Sequence, residues 1–142
     1  REQRLDINMI AEHIAPDTVS DMRYDGVLLD SASKIFRGTL DFKSGCKGAK
    51  GSENEEVVLL SEDVGNQSLP IILCGEEDVE GNHGASVGKI SDEIIYYLAT
   101  RGFNEEEATK LLIRSKFNAT VSNIPEGELR DEVNRLIDGV LA

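Results

Sequence analysis

Hydrophobic and polar positions alternate in short segments over the first 88 or so residues, a pattern typical of β-strands. In RLDINMIAEH, residues 4–13, the apolar face consists of Leu5, Ile7, Met9 and Ala11. In IFRGTLDF, residues 35–42, the corresponding face consists of Phe36, Gly38, Leu40 and Phe42. The segments EVVLLS and LPIILCG are continuous apolar runs, which predict strands buried on both faces.

Polar segments separate these predicted strands and are expected to form turns. They read APDTVSD, DSASK, SGCKGAKGSENE, SEDVGNQS and EEDVEGNHG. Short strands with frequent turns are typical of a sandwich, a barrel or a solenoid. Because no helical pattern interrupts the strands, folds with crossover helices of the Rossmann type are excluded.

The hydrophobic period changes from two to that of a helix at about residue 90. Ser91 is a predicted N-cap, Ile90 and Ile95 occupy the positions of a hydrophobic staple, and Gly102 is the predicted C-terminal stop of this helix. Asn104 and Glu107 predict a capping box for a second helix. Its predicted apolar stripe consists of Ala108, Leu111, Leu112, Ser115 and Ala119.

A third helix is expected to open near Pro125, with this proline in its first turn. Its predicted apolar stripe is Leu129, Val133, Leu136, Ile137, Val140 and Leu141. We therefore divide the chain into a β-rich domain, residues 1–89, and a helical domain, residues 90–142. A three-helix unit of this size is marginal alone, so we expect it to pack on another surface.

Composition narrows the possible partners. The chain has 142 residues and a formal net charge of −12, from 27 acidic and 15 basic residues. This charge argues against binding to nucleic acid or to an anionic membrane surface. No apolar run approaches the roughly 18 residues of a membrane span. Since the chain begins at Arg1 with a strand-like pattern, we expect it to be part of a longer protein.

The obvious sequence motifs for catalysis are weak. GCKGAKGS, residues 45–52, resembles a phosphate loop, but Lys50 precedes Gly51 and no helix follows, so we predict a plain loop. The acidic run from Glu76 to Glu80 lacks the ligand spacing of a calcium site and is predicted to be a solvated turn. The two cysteines form no Cys-x-x-Cys pair, and their number fits a reducing compartment. We expect Cys74 to be buried and Cys46 to be exposed.

His83 is the strongest candidate for chemistry. A neutral imidazole binds metals, and the neighbouring Gly81 and Gly84 leave room for a ligand or another backbone to approach. The alternative is a surface or hydrogen-bonded structural histidine. His13 has no comparable neighbours and is interpreted as structural.

Several ordered motifs give the chain a family resemblance. They are QRLDIN (3–8), H-x-A-P (13–16), GVLLDSASKIFRG (26–38), LLSE (59–62) and EDVEGNHGASVGKISDEIIYYLATRGF (77–103). They resemble the C-terminal half of the SufB/SufD family, components of the SUF iron–sulfur cluster assembly machine. The resemblance implies a mainly β fold, a right-handed parallel β-helix (solenoid), followed by a small C-terminal α-helical domain.

The resemblance also implies a function, that of a non-catalytic scaffold subunit that pairs with a SufB-like protein and binds a SufC-type ATPase. Asn82-His83-Gly84-Ala85-Ser86 resembles the Ser-His-Gly-Ala-Thr motif of SufD chains, which makes His83 a cluster-assembly and metal-ligand candidate. No cysteine stands near Val64 or Gly65, where a SufB-type chain would carry its sulfur acceptor, and together with the histidine motif this favours a SufD-like over a SufB-like chain. Gly81 and the GAKGSE loop depart from the SufD pattern and leave open a single SufB/D-like scaffold that pairs with a second copy of itself.

The remaining expectations follow from this resemblance and from the residues. Partner-binding candidates in the helical domain are Tyr96, Tyr97, Phe103 and Phe117, because the aliphatic stripes leave these aromatic residues free. Since two cysteines and one candidate histidine do not fill the usual four-ligand set, we expect the isolated chain to bind no cofactor, although a cluster could form transiently in the full complex. We expect a cytoplasmic location. A more remote alternative is a carbohydrate-active enzyme that uses the acidic residues of a β-helix.

Overall fold

The computed structural model describes residues 2–141. Within these residues six β-strands precede three α-helices. In chain order the elements are β1 (Arg4–His13), β2 (Val19–Leu28), β3 (Ser33–Phe42), β4 (Lys50–Leu59), β5 (Gly65–Cys74), β6 (Glu80–Gly88), α1 (Asp92–Ala99), α2 (Glu105–Val121) and α3 (Glu128–Leu141). The chain is therefore mainly β with a helical C-terminal part, as the sequence predicts.

Successive strands alternate between two parallel sheets. One sheet has the order β1-β3-β5 and the other has the order β2-β4-β6. Each of the first four strands thus pairs with the strand two places further along the chain. β1 and β3 pair over their whole length, from Arg4 opposite Ser33 to His13 opposite Phe42. This register brings residues about 30 positions apart in sequence side by side.

The turns between the sheets are hydrogen-bonded to each other as well. The Asp17 amide in the β1–β2 turn donates to the carbonyl of Lys47 in the β3–β4 turn, at 3.0 Å. The Gly48 amide of that second turn donates to the carbonyl of Asp78 in the β5–β6 turn, at 2.7 Å. Backbone hydrogen bonds therefore join these three turns to each other, in addition to the bonds between the strands.

The core lies between the two sheets. Its buried cluster comprises Met22, Leu40, Phe42, Cys46 and Ala49, with Met9, Ala11, Ile72 and Val79 packed against it. The predicted inward face of β3 is confirmed, because Phe36, Leu40 and Phe42 are almost completely buried. His13 is also buried, and its ring stacks on Phe42 with centroids 4.7 Å apart. Its two ring nitrogens bond the hydroxyls of Thr18 and Ser20, at 2.7 and 2.8 Å.

Several predictions about the strands were wrong. Two segments predicted as turns, SEDVGNQS and EEDVEGNHG, contain the first residues of β5 and of β6. The segment predicted as the turn SGCKGAKGSENE contains the first half of β4, because its inward positions carry glutamates rather than apolar residues. The apolar run of β5 is not buried on both faces, since Leu69 and Leu73 are 43% and 49% exposed. β5 ends its sheet, and among the described residues no element covers those side chains.

The helix ends follow the sequence closely, with two differences. The capping box of Asn104 and Glu107 is confirmed, and Gly102 has the positive φ of 95° expected at a helix end. Ser91 occupies the N-cap position of α1 but makes no side-chain capping bond. Pro125 lies outside α3, which begins only after Gly127, a glycine with a φ of 146°.

The predicted apolar stripe of α2 was partly wrong. Ala108 is buried, but Leu111 is 44% exposed, and Ile113 and Val121 are the other buried positions. The reason is that α2 has neighbours on more than one side, packing on α1, α3 and β2. In α3 the stripe is incompletely covered, because Leu129, Leu136 and Val140 are 66%, 61% and 76% exposed.

Candidate functional site

The strand that carries His83 lies at the margin of its sheet. β6 pairs in parallel with β4 on one side and is the last strand in the order β2-β4-β6. All nine of its residues, Glu80–Gly88, are exposed. His83 therefore lies on the surface, in the middle of a strand whose second edge is unpaired among the described residues.

Glu53 is the residue directly opposite His83 in β4. Because residues in register on neighbouring parallel strands point to the same face, both side chains belong to the face that looks into the core. Glu53 is only 3% exposed, and its Oε2 atom has no hydrogen-bond partner among the described residues. Burial raises the pKa of the Glu53 carboxyl, nearby His83 lowers it, and Glu55 raises it.

Gly38 creates the space for this carboxylate. It faces Glu53 from β3, and a Cβ atom at this position would fall well inside contact distance of the Glu53 carboxylate oxygens. The predicted apolar face of β3 thus has a gap at Gly38, and the gap is filled by an acidic side chain from the opposite sheet.

A buried ion pair lies next to Glu53. The Lys34 ammonium group bonds the Glu55 carboxylate, and the two side chains are 0% and 3% exposed. The same ammonium lies 4.7 Å from the centre of the Tyr24 ring, which itself stacks on Phe36. Burial, and then the charge of Glu55, raises the pKa of the Tyr24 phenol. The space between the two sheets therefore contains buried charged side chains, those of Glu53, Glu55 and Lys34.

The two glycines near His83 have different surroundings. A Cβ atom at Gly81 would lie 3.1 Å from the Phe42 ring and 3.2 Å from Ile72, whereas one at Gly84 would lie 3.0 Å from the side-chain oxygen of Asn54. Gly81 thus lets β6 pack tightly on the core. The sequence predicted that a ligand or another backbone would approach there, whereas the groups that come close are the side chains of Phe42 and Ile72.

The cysteines were assigned to the wrong environments. Cys46 is completely buried in the core cluster, and Cys74 is exposed at the end of β5. The β3–β4 turn folds back over Phe42, which buries Cys46, and Cys74 lies on the last strand of its sheet. Burial, reinforced by Glu76, raises the pKa of the Cys46 thiol. No group of three or more potential metal ligands occurs in residues 2–141.

The aromatic candidates of the helical part differ in exposure. Tyr96, Tyr97 and Phe103 are 73%, 56% and 38% exposed, and Phe117 is half-buried. Phe117 lines an apolar groove between α2, α3 and β2, together with Val27, Leu29, Ile113, Leu136, Ile137, Val140 and Leu141. The helical part therefore presents apolar side chains at several places on its surface.

A polar network fastens α2 to the outer side of the second sheet. Lys116 of α2 forms an ion pair with Glu56 of β4, at 2.9 Å, and Thr120 donates a hydrogen bond to Asp25 of β2. Arg23 bonds both acidic residues, at 3.0 Å to Asp25 and 3.4 Å to Glu56. These contacts join the helical part directly to the strands.

Comparison with known proteins decides the family. Residues 1–116 match the family model described as "SUF system FeS cluster assembly, SufBD core domain". The chain belongs to the SufBD family. The match covers all six strands together with α1 and most of α2.

Curated proteins of the SufBD family give the same result. The chain is 34% identical over 113 residues to the iron–sulfur cluster assembly protein SufD of Bacillus subtilis, an alignment that covers 80% of this chain and 26% of that protein. It is 29% identical over 125 residues to SufBD family proteins of Staphylococcus saprophyticus and Staphylococcus haemolyticus, covering 88% of this chain and 27% of each relative. The chain thus spans about a quarter of the length of the relatives it matches. No helix in residues 2–141 is long and apolar enough to cross a membrane.

Glu53 is the site residue that the sequence reasoning missed. A signal was present, because Gly51, Glu53, Glu55 and Val57 alternate with more outward positions in the pattern of a strand. Two inward glutamates hid that pattern, since acidic residues are almost never fully buried unless they are paired.

Proposed function

We propose that this chain is part of a non-catalytic, SufD-like scaffold subunit of an iron–sulfur cluster assembly complex. The observation that carries this proposal is the match of residues 1–116 to the SufBD core domain. The name of the Bacillus subtilis relative, SufD, supports the finer assignment. In this role the iron–sulfur cluster is the product that the complex assembles and passes on, not a resident cofactor of this chain. Partner subunits share in assembling the cluster, and assembly takes place in the cytoplasm.

We infer that residues 1–89 are the last coils of a right-handed parallel β-helix and that residues 90–142 are a separate docking domain. The alternation of strands between two parallel sheets supports the coil, as do the hydrogen bonds between successive turns. The change from strands to helices between β6 and α1 marks the proposed boundary at residues 89–91, and the ion pair of Lys116 with Glu56 joins the two parts across it.

The margin formed by β5 and β6 is the proposed pairing surface for a SufB-like protein. Both strands end their sheets, and β5 leaves Leu69, Ile71 and Leu73 between 38% and 49% exposed. An exposed strand edge is a template for pairing with another chain. His83 lies on this margin, where a cluster-assembly histidine and metal ligand would face the partner. The alternative is that a second copy of this chain, in a minimal SUF system, binds to this surface in place of a SufB-like protein.

An enzymatic role on a β-helix has no comparable support. A glycosidase needs two carboxylates that are both accessible to a substrate across a cleft. Glu53 and Glu55 are each 3% exposed, and Glu55 is paired with Lys34. The acidic run from Glu76 to Glu80 is a turn that ends at the first residue of β6, and Glu76 accepts a hydrogen bond from the Gly45 amide at 3.0 Å.

The helical domain is the proposed docking site for a SufC-type ATPase. Substituting its exposed aromatic residues tests this proposal. Tyr96 and Tyr97 are 73% and 56% exposed on α1. We expect Tyr96→Ser with Tyr97→Ser to weaken co-purification with the ATPase by at least about 10-fold, because losing buried aromatic anchors typically costs 2 kcal/mol or more in binding. The free energy of unfolding should change little, since neither side chain is buried in the chain itself.

A matched control for this test is Ile14→Ser. Ile14 is 73% exposed but lies in the β1–β2 turn, outside the helical domain. This variant should bind the ATPase like the wild type. Equal binding by the tyrosine variant would place the docking surface elsewhere, and absence of any association between the wild-type protein and the ATPase would refute the scaffold proposal.

A further inference from the structure

Glu53 has no polar partner for one carboxylate oxygen, although it is almost completely buried. Its Oε2 atom is unpaired among the described residues, and its side chain is 3% exposed. Burying a polar group without a hydrogen bond costs free energy, and burying an ionised one costs more. A residue in this condition is therefore expected either to destabilise the fold without benefit or to have a partner when the protein works.

The groups that surround Glu53 leave one candidate partner. Met22 lies opposite it on β2, and Gly38 faces it from β3. Glu55 on the same strand is an acid, and Lys34 is the partner of Glu55. On the remaining side lies His83, in register on β6. His83 is thus the only neighbour in this set that can donate a hydrogen bond without breaking the ion pair.

The spacing between β4 and β6 allows a hydrogen bond between Glu53 and His83. Neighbouring strands lie about 4.8 Å apart, so two inward side chains in register start from backbone positions at that separation. The carboxylate approaches from inside the core, and the imidazole lies at the exposed margin. The Glu53 carboxylate lies against Gly38 and is not hydrogen-bonded to His83 in the structure. A rotation of the two side chains would let one ring nitrogen face inward to Glu53 while the other faces outward.

We propose that Glu53 is a positioning residue for His83. Its carboxylate accepts a hydrogen bond from one ring nitrogen, which fixes the ring orientation and the tautomer and leaves the second nitrogen free as a ligand at the pairing surface. Histidines that bind metals almost always donate their other N–H to a carboxylate, a carbonyl or water, and this partner raises the basicity of the ligand. Glu53 itself is too deeply buried to be a ligand. The inference rests on the proposed function, because it assigns a role to the same histidine.

The structural test uses Glu53→Leu in the purified protein without partners. Leucine fills a similar volume beside Met22 and removes the unpaired carboxylate, so the fold should be retained. The tautomer of His83 is measured by long-range ¹H–¹⁵N NMR at about pH 8.5, where histidine side chains are ordinarily neutral. In the wild type we expect one tautomer to predominate more strongly than in the free peptide Gly-Asn-His-Gly-Ala. In Glu53→Leu the preference should fall to that of the peptide.

Glu80→Gln is the matched control. Glu80 is an exposed carboxylate on the same strand and pairs with Lys50 at 2.7 Å. This variant should keep the wild-type tautomer of His83. A wild-type His83 with the tautomer populations of the peptide, or a Glu53→Leu protein with unchanged populations, would overturn the proposal. The wild-type comparison decides even if Glu53→Leu does not fold.

A functional measurement separates this inference from the proposed function. In the reconstituted complex, Glu53→Leu should slow cluster delivery by about 10- to 100-fold, the usual loss when a hydrogen-bond partner of a metal-binding histidine is removed. If His83→Ala impairs delivery and Glu53→Leu does not, the positioning role fails while the function stands. If neither change affects delivery, the role of His83 in the proposed function fails as well.

Discussion

Replacing Lys34 with alanine is expected to lower the free energy of unfolding by about 3 to 5 kcal/mol. Lys34 and Glu55 are 0% and 3% exposed, so this change would leave an acidic group in the core without its counter-charge. Lys34 also lies over Tyr24 and Phe36, with ring centres 4.7 and 5.5 Å from its ammonium group. Urea unfolding followed by circular dichroism measures the effect.

Two further variants identify the cause of that loss. The double change Lys34→Met with Glu55→Leu removes both charges and should recover most of the stability, because apolar residues of similar volume can replace a buried ion pair. Arg37→Ala breaks the pair of Arg37 with Asp6, whose side chains are 38% and 61% exposed, and should cost no more than about 1 kcal/mol. A Lys34→Ala protein as stable as Arg37→Ala would show that Lys34 and Glu55 are not paired in the core.

Replacing His83 with alanine is expected to reduce cluster delivery by the reconstituted complex by at least about 10-fold. Losing a ligand should cost no less than losing its hydrogen-bond partner, which costs 10- to 100-fold. The exposed ring itself should contribute less than about 0.5 kcal/mol to the free energy of unfolding. Where its hydrogen bond to Glu53 is formed, the loss rises to about 1 to 3 kcal/mol, because the buried carboxylate loses that partner. Thermal unfolding of the variant and delivery to an apo-acceptor protein, measured on the same preparations, check both parts.

His13 is the matched control in the same chain. It is buried, stacks on Phe42 and bonds two hydroxyl groups, so His13→Ala should cost about 1 to 3 kcal/mol in stability. At a temperature where both variants are folded, His13→Ala should deliver clusters like the wild type. The reverse pattern, with His83→Ala unstable but active, would mean that His83 is a structural residue.

The strand-then-helix order could be predicted from the sequence because the relevant signals are local. Alternation in β1 and β3, the Asn104–Glu107 capping box and Gly102 all act within a few residues. The arrangement of six strands in two sheets is not local. It depends on pairings between residues about 30 positions apart, such as Arg4 with Ser33, and short-range periodicity carries no information about them.

The polar interior could not be predicted for a related reason. Glu53 and Glu55 read as part of a turn because charged residues are normally exposed. Their burial depends on Lys34, which is 21 residues away from Glu55, and on the gap at Gly38 in the opposite sheet. The environments of Cys46 and Cys74 were reversed for the same reason, since the folding of the turns and the end of a sheet decide them. His83 could be singled out from the sequence because the residues around it form the local motif Asn82-His83-Gly84-Ala85-Ser86.

We propose that this chain is a necessary scaffold of an iron–sulfur assembly complex, and leaving the protein out of a reconstituted reaction is the sharpest test of that role. A SufC-type ATPase and a SufB-like protein are supplied with iron, a sulfur source and ATP, with or without the protein, and cluster transfer to an apo-acceptor is followed by visible absorption. We expect a stable complex that contains all three proteins, and cluster transfer that falls sharply when this one is left out. Equal transfer without it, together with no co-elution of the three proteins, would show that the chain is not a scaffold of such a complex.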